Sequence, residues 1–206
     1  MHSPNKTSLA LIATVSLLCL AGGTAEATIL GFNNLTGTTG DPFTSETEQG
    51  FTVTGSGSMF QNLDFGNPAP SVFLGPLGSP TSGSLTVTNN SAQTFTFQSL
   101  DFASTNGPTA FTIQGFDNGT LEFTQSGTFP GSPNPPPFTT LAGMHTGVDL
   151  TSLVISLSVP AGVATTSANI DNIVVDTSAV PEPGYLGLLA TLGSFVFAFR
   201  KLRRNV

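Results

Sequence analysis

The side chains able to do chemistry in this 206-residue chain are few and unevenly placed. His145 is the one imidazole beyond His2, and Asp149 follows it by four positions. With the many nearby hydroxyls these residues can be drawn as a Ser-His-Asp triad. The surrounding "GMHTGVD" reads as a loop, however, and no G-x-S-x-G elbow presents a nucleophile. A solvated loop histidine is the plainer reading, and no catalytic residue is assigned. Ten Asp and Glu between Thr28 and Ala179 offer many carboxylate pairs of the glycosidase kind. The chain has no Trp, and its only Tyr is Tyr185, so an aromatic sugar cleft is not indicated. Thiolate and imidazole metal sites lack ligands, because Cys19 is the only cysteine. Calcium, which takes carboxylate and carbonyl oxygens, is the one candidate ion. Its weak candidate ligands are Asp117 in "DNGT" and Asp171 in "NIDNIVVD", neither with the spacing of a dedicated calcium loop. Asp171 and Asn172 have a competing role, satisfying main-chain donors at the entry to the last strand. No cofactor is assigned.

The cations lie at the two ends. Lys6 stands near the start, and Arg200, Lys201, Arg203 and Arg204 at the end. Nothing between Thr28 and Ala179 carries a Lys or Arg, which excludes nucleic acid as a partner, since phosphate contacts need those side chains. If the N-terminal apolar run is removed, the mature chain has no thiol and relies on its core instead of disulfides.

The elements that position these residues are strands. "GSLTVT", "QTFTFQSLDF", "TAFTIQGF" and "LVISLSV" alternate apolar and polar residues, placing one face on a core and the other in water. Thr fills many outward positions. In "FDNGTLEF", Asn118-Gly119 between apolar flanks marks a two-residue hairpin. "FPGSPNPPPF" at 129–138 cannot join a central strand and is expected to be a protruding loop, with recognition by a proline-binding partner the alternative. Eight to ten short strands are expected. The fold class is all-β, an antiparallel β-sandwich of jelly-roll type, with an N-terminal signal helix and a single C-terminal transmembrane helix. Fourteen of the 17 Phe fall in this region and supply the core. The abundant Ser and Thr suit half-solvated strands and also allow O-glycosylation.

The ends carry the organisation. Residues 1–27 read as a secretory signal peptide: Lys6, an apolar stretch from Leu9 to Leu20, and the small residues Ala25 and Ala27 flanking Glu26, with cleavage after Ala27. The β domain is expected over 28–178. The tail, 179–206, holds three features in order. Pro181-Glu182-Pro183 makes a stiff extended tether. Residues 184–199 follow without a charge, about 24 Å if helical and short for a bilayer core of roughly 30 Å. The basic segment 200–206 then stays cytoplasmic by the positive-inside rule, leaving the domain outside. A membrane anchor explains the apolar run and the charges, but not Pro-Glu-Pro.

That order resembles the PEP-CTERM sorting signal, and the resemblance is confined to about residues 179–206. Gly184 departs from it, since Ser is common after the motif. "IDNIVV" is also similar to the last strand of many such proteins. The resemblance implies a protein exported through the inner membrane of a Gram-negative bacterium by the secretion translocon. It further implies transient membrane anchoring, then processing by exosortase, which supplies the catalytic Cys. The expected function is a non-enzymatic cell-envelope, extracellular-matrix or biofilm component, with exopolysaccharide a candidate partner. A calcium-dependent carbohydrate-binding module and a secreted hydrolase are the alternatives.

Overall fold

The computed structural model describes residues 26–75, 81–159, 161–163 and 167–177. The signal segment up to residue 25, the sorting motif 181–183, the span 184–199 and the basic tail 200–206 lie outside the described residues.

The described residues form twelve strands and no helix, more strands than the eight to ten expected. They are β1 (Glu26–Leu30), β2 (Ser45–Glu48), β3 (Phe51–Gly57), β4 (Met59–Asn62), β5 (Ser71–Leu74) and β6 (Thr81–Asn89). Then come β7 (Phe95–Thr105), β8 (Thr109–Asp117), β9 (Thr120–Phe129), β10 (Thr139–Ala142), β11 (Ser152–Val159) and β12 (Ser167–Thr177). The long strands β6, β7, β8 and β11 coincide with the alternating runs. The surplus consists mainly of short strands that have too few residues to show a period. Cleavage after Ala27 would fall inside β1, leaving Thr28, Ile29 and Leu30 paired with Val175, Val174 and Ile173.

Two antiparallel six-stranded sheets face each other. One runs β10-β7-β12-β5-β4, with β1 also on β12; the other runs β2-β3-β6-β11-β8-β9. The chain changes sheet at Gly57, between β3 and β4. Its φ of +68° belongs to the left-handed region, and a Cβ there would lie 2.7 Å from the Ser82 carbonyl oxygen. Only glycine turns that corner without strain. The hairpin at Asn118-Gly119 is as expected: Asp117 pairs with Thr120, and both turn residues have positive φ, 47° and 82°.

The inner faces meet in one hydrophobic core. Leu85, Val87, Ile113, Leu153 and Ile155 from one sheet face Val72, Leu100, Ile170 and Val175 from the other. Nine of the 14 Phe in this region are buried, and Phe60, Phe65, Phe73, Phe116 and Phe138 are half-buried. Phe rings stitch the sheets together. Phe51 of β3 meets Phe95 of β7 edge-on at 5.3 Å, and Phe129 of β9 stacks on Phe102 of β7 at 3.6 Å. The proline-rich stretch does leave the strands, but it packs as well as protrudes. It crosses from β9 to β10, Ser132 bridges Thr105, and Pro136 is buried.

Phe129 also stacks on Phe111 of its own sheet at 4.3 Å, so its removal empties ring contacts both within that sheet and across to Phe102. Phe129→Ala is expected to cost about 3–5 kcal/mol. Phe73→Ala, at a half-buried position, should cost less than half of that. Urea unfolding followed by circular dichroism measures both; equal losses would mean the Phe129 stack is not a principal inter-sheet contact.

Candidate functional site

Strand β12 changes partner partway along one edge. Its first half pairs with β5, from Ala168 opposite Leu74 to Ile170 opposite Val72. Its second half pairs with β1, from Ile173 opposite Leu30 to Thr177 opposite Glu26. On the other edge β7 runs alongside, with register shifts between Asp171 and Val174 and again between Val174 and Val175. Asp171 and Asn172 therefore sit at the junction between β5 and β1, and Asn172 takes a left-handed φ of 44°. Alternation that places Ile170 and Ile173 in the core gives a three-residue step there, the mark of a bulge.

Polar groups fill the gap. Asp171 is fully buried and lies opposite Asp101 in the ladder. Asp171 Oδ2 accepts from the Asn67 N–H at 2.5 Å, and its Oδ1 accepts from the Asn172 N–H at 2.8 Å. Asp101 Oδ2 accepts from the side-chain amides of Asn67 and Asn172, both at 3.0 Å, and its Oδ1 accepts from Thr140 Oγ1 at 2.6 Å. Asn172 Nδ2 also donates to the Asn67 carbonyl. Asp171 does satisfy main-chain donors, as expected, but in the middle of the last strand and not at its entry.

A second pair of carboxylates lies across the β1–β2 connection. β2 and β3 are joined at Gln49-Gly50, and their register sets Glu48 opposite Phe51 and Glu46 opposite Val53. Phe51 and Val53 face the core, so both glutamates point inward from an edge strand. Glu48 Oε2 accepts from Gly31 N–H and Phe32 N–H, each at 3.0 Å, and its Oε1 accepts from Asn33 Nδ2 at 2.9 Å. A φ of 58° at Phe32 accompanies this pair of converging amides, a small anion nest. Glu46 Oε1 accepts from Asn34 N–H at 2.8 Å. Its Oε2 is buried with no partner among the described residues.

The four carboxylates form an electrostatic series, with no Lys or Arg among the described residues. Burial pushes Asp171 up to about 7; the Asn67 and Asn172 amides oppose the rise, while Asp101 and Glu48 add repulsion. Burial also raises Glu46; the Asn34 amide offsets part of this, and Glu48 adds to it. Burial would raise Asp101 too, but hydrogen bonds from Thr140, Asn172 and Asn67 outweigh it and hold it below its ordinary value. Among the described residues no three or more His, Asp and Glu side chains converge as a metal cage.

The other sequence candidates lie elsewhere. Asp117 is at the tip of the β8–β9 hairpin, bonded by Asn118 Nδ2 at 3.1 Å, in the sheet that does not contain Asp171. His145 lies half-buried in the loop after β10, its ring stacked on Phe123 at 4.6 Å. It is thus a packed loop residue more than a solvated one. Sequence reading passed over Glu46, Glu48 and Asn67. The signal for the two glutamates was present: Gln49-Gly50 as a two-residue turn fixes the phase that turns them inward. Outside the core, Ser56, Ser84, Ser156, Thr112 and Ser126 stand in one row across five strands, beside a shallow cavity of about 340 Å³.

No family model and no curated protein matches this chain. Among solved structures it is similar to a family 29 carbohydrate-binding module from Piromyces equi. That match has 14% identity and a TM-score of 0.44 and covers 77% of this chain and 95% of that one. It is similar to the module TmCBM61, solved with β-1,4-galactotriose, at 13% identity and TM-score 0.40, covering 62% and 88%. It is also similar to the enzymatically active domain of bacteriophage CBA120 tailspike protein 4. There the identity is 14% and the TM-score 0.43, and the match covers 63% of this chain but 19% of the tailspike chain.

The raised groups set a pH dependence. Asp171 holds its proton in the fold after an unfolded carboxyl has lost it. Its contribution is present below about pH 4 and is lost as pH rises toward 7, and Glu46 acts with the same sign. Asp101, and Asp41 in the β1–β2 connection, which the Thr38 N–H holds low, contribute with the opposite sign, and their contribution disappears only below pH 4. Thermal unfolding should therefore show the melting temperature falling from pH 4.5 to 7.5. Asp171→Asn should flatten that slope, while losing about 1–3 kcal/mol overall because an amide has one acceptor oxygen for the two N–H groups of Asn67 and Asn172. An unchanged slope in the variant would place the titration elsewhere.

Proposed function

We propose that this chain is an exported protein whose segment 179–206 is a sorting signal processed by exosortase, with the β-sandwich as the mature, non-catalytic body at the cell surface or in the matrix. One observation carries the reading: Pro181-Glu182-Pro183, 16 uncharged residues and a terminal cluster of Arg200, Lys201, Arg203 and Arg204 occur in strict order. The translocon would export the chain behind its signal peptide. The span would then halt it in the inner membrane with the sandwich outside, and the basic residues would resist passage. Pro-Glu-Pro would hold the backbone extended where the processing enzyme must reach it.

The body suits that role in two respects. It is acidic and lacks Lys and Arg between Thr28 and Ala179, which favours solubility outside the cell. Its first and last strands are antiparallel partners, with Glu26 opposite Thr177. The start of β1 and the end of β12 therefore lie side by side in the sandwich. We read the sandwich as jelly-roll-like, and its surface role as structural.

Intact mass of the protein recovered from its native host tests the reading. A species ending near Pro183, with or without an added group, is the expected result. Replacing Pro181, Glu182 and Pro183 together by Ala should leave the tail in place. Native protein that still carries Arg200–Val206 would exclude processing.

A further inference from the structure

The segment 40–44 runs along edge strand β4, with Phe43 N–H donating to the Met59 carbonyl at 2.9 Å, and leads into edge strand β2 of the other sheet. A cavity of about 380 Å³ lies there, bounded by residues 34–36, 42–47 and 61. Glu46 lines it from β2, and Gln61 lines it from β4. Glu46 is 9% exposed, its Oε1 is engaged by the Asn34 N–H, and its Oε2 is buried without a partner among the described residues. A desolvated carboxylate oxygen with nothing to face is costly. Glu48, two positions along the same strand face, repels it further. No Lys or Arg exists between Thr28 and Ala179 to balance either charge.

We propose that this cavity binds a hard divalent cation of the calcium class, with Glu46 as its carboxylate ligand. The site is distinct from Asp117 and Asp171, where the sequence placed its candidates, and it holds whether or not the C-terminal tail is cut. The lining offers oxygen and no sulfur or imidazole: besides Glu46 it has Asn34, Thr36, Thr44, Ser45 and Gln61. Oxygen-only surroundings select calcium or magnesium over transition metals. With no three carboxylates converging among the described residues, the shell is completed by amide, hydroxyl and main-chain oxygens and by water, for which the volume leaves room. Calcium accepts six to eight such ligands in irregular geometry, whereas magnesium demands a near-ideal octahedron. An ion on Oε2 would brace, through Oε1, the loop that Asn34 anchors.

The test uses the full-length chain in detergent, stripped with a chelator and titrated with calcium chloride while melting is followed by circular dichroism. The expected result is a saturable rise of about 5–10 °C at a hundredfold excess over Kd. Magnesium should give less than half that rise, Glu46→Gln should lose it, and Asp171→Asn should keep it. Absence of any rise, a rise undiminished in Glu46→Gln, or stabilisation by an organic ammonium salt but not by calcium would each overturn the proposal. If Glu46→Gln does not fold, hydrogen exchange on the unaltered chain decides. Slower exchange of the amides at 34–46 with calcium supports the site, and unchanged exchange overturns it.

Discussion

The junction in β12 is the constraint on which the rest of the structure depends. A strand whose neighbour changes from β5 to β1 leaves main-chain groups unpaired where one partner stops and the other starts. Buried main-chain donors must find acceptors. Asp171 accepts from Asn67 and from Asn172, and Asp101 accepts the side-chain amides of those same two residues. The bulge that re-phases β12 between Ile170 and Ile173 is therefore stitched by side chains where the ladder cannot reach. It also keeps both halves of the strand facing the core, since a slip of one residue would turn Ile173 and Val175 outward.

This arrangement uses carboxylates alone, and that choice has an electrostatic consequence. Paired with Lys or Arg, Asp171 and Asp101 would attract their partners; placed opposite each other, they repel. The burial of Asp171 makes its charged form unfavourable, and its shift to about 7 leaves it part-protonated near neutrality. Asp101 escapes because Thr140, Asn67 and Asn172 give it three donors. Two carboxyls one strand apart thus differ because of their hydrogen-bond supply more than because of their spacing. Glu48 Oε1 and Oε2 accept three donors from residues 31–33. Glu46, with a single donor, belongs with Asp171.

Much of the fold was legible because it is local. Leu85 with Val87, and Leu153 with Ile155 and Leu157, announce their strands by alternation, and Asn118-Gly119 announces its turn by the φ each residue tolerates. The short strands were less legible. "SETE" and "MFQN" are too brief to show a period, and their pairing is set by partners remote in sequence or by a turn that must be recognised first. The polar junction was half legible. Asp171 stood out as a residue type, but its opposition to Asp101 depends on the β7–β12 register, and Asn67 reaches it from a loop 104 residues away. The step from Ile170 to Ile173 did record the bulge, because alternation cannot otherwise put both residues inside. His145 was read by its chemistry alone; its ring contact with Phe123 depends on a loop that only the folded chain brings back to β9.

The inward glutamates join the two ends of this reasoning. An edge strand exposes unpaired main-chain groups to any passing chain, and inward-pointing charge is one of the devices that discourages further pairing. Glu46 and Glu48 supply that device on β2, at the outer edge of its sheet. Glu48 adds a second service, because its carboxylate holds the segment that leads out of β1, and β1 in turn covers the C-terminal half of β12. The protection of one sheet's edge and the completion of the other sheet's central strand therefore run through the same two side chains. An acidic pair at that position is hard to replace by hydrophobic residues of similar size. Such residues would fill the space but would leave the Gly31, Phe32 and Asn34 amides with no acceptor, and β1 would lose the anchor that sets its register on β12.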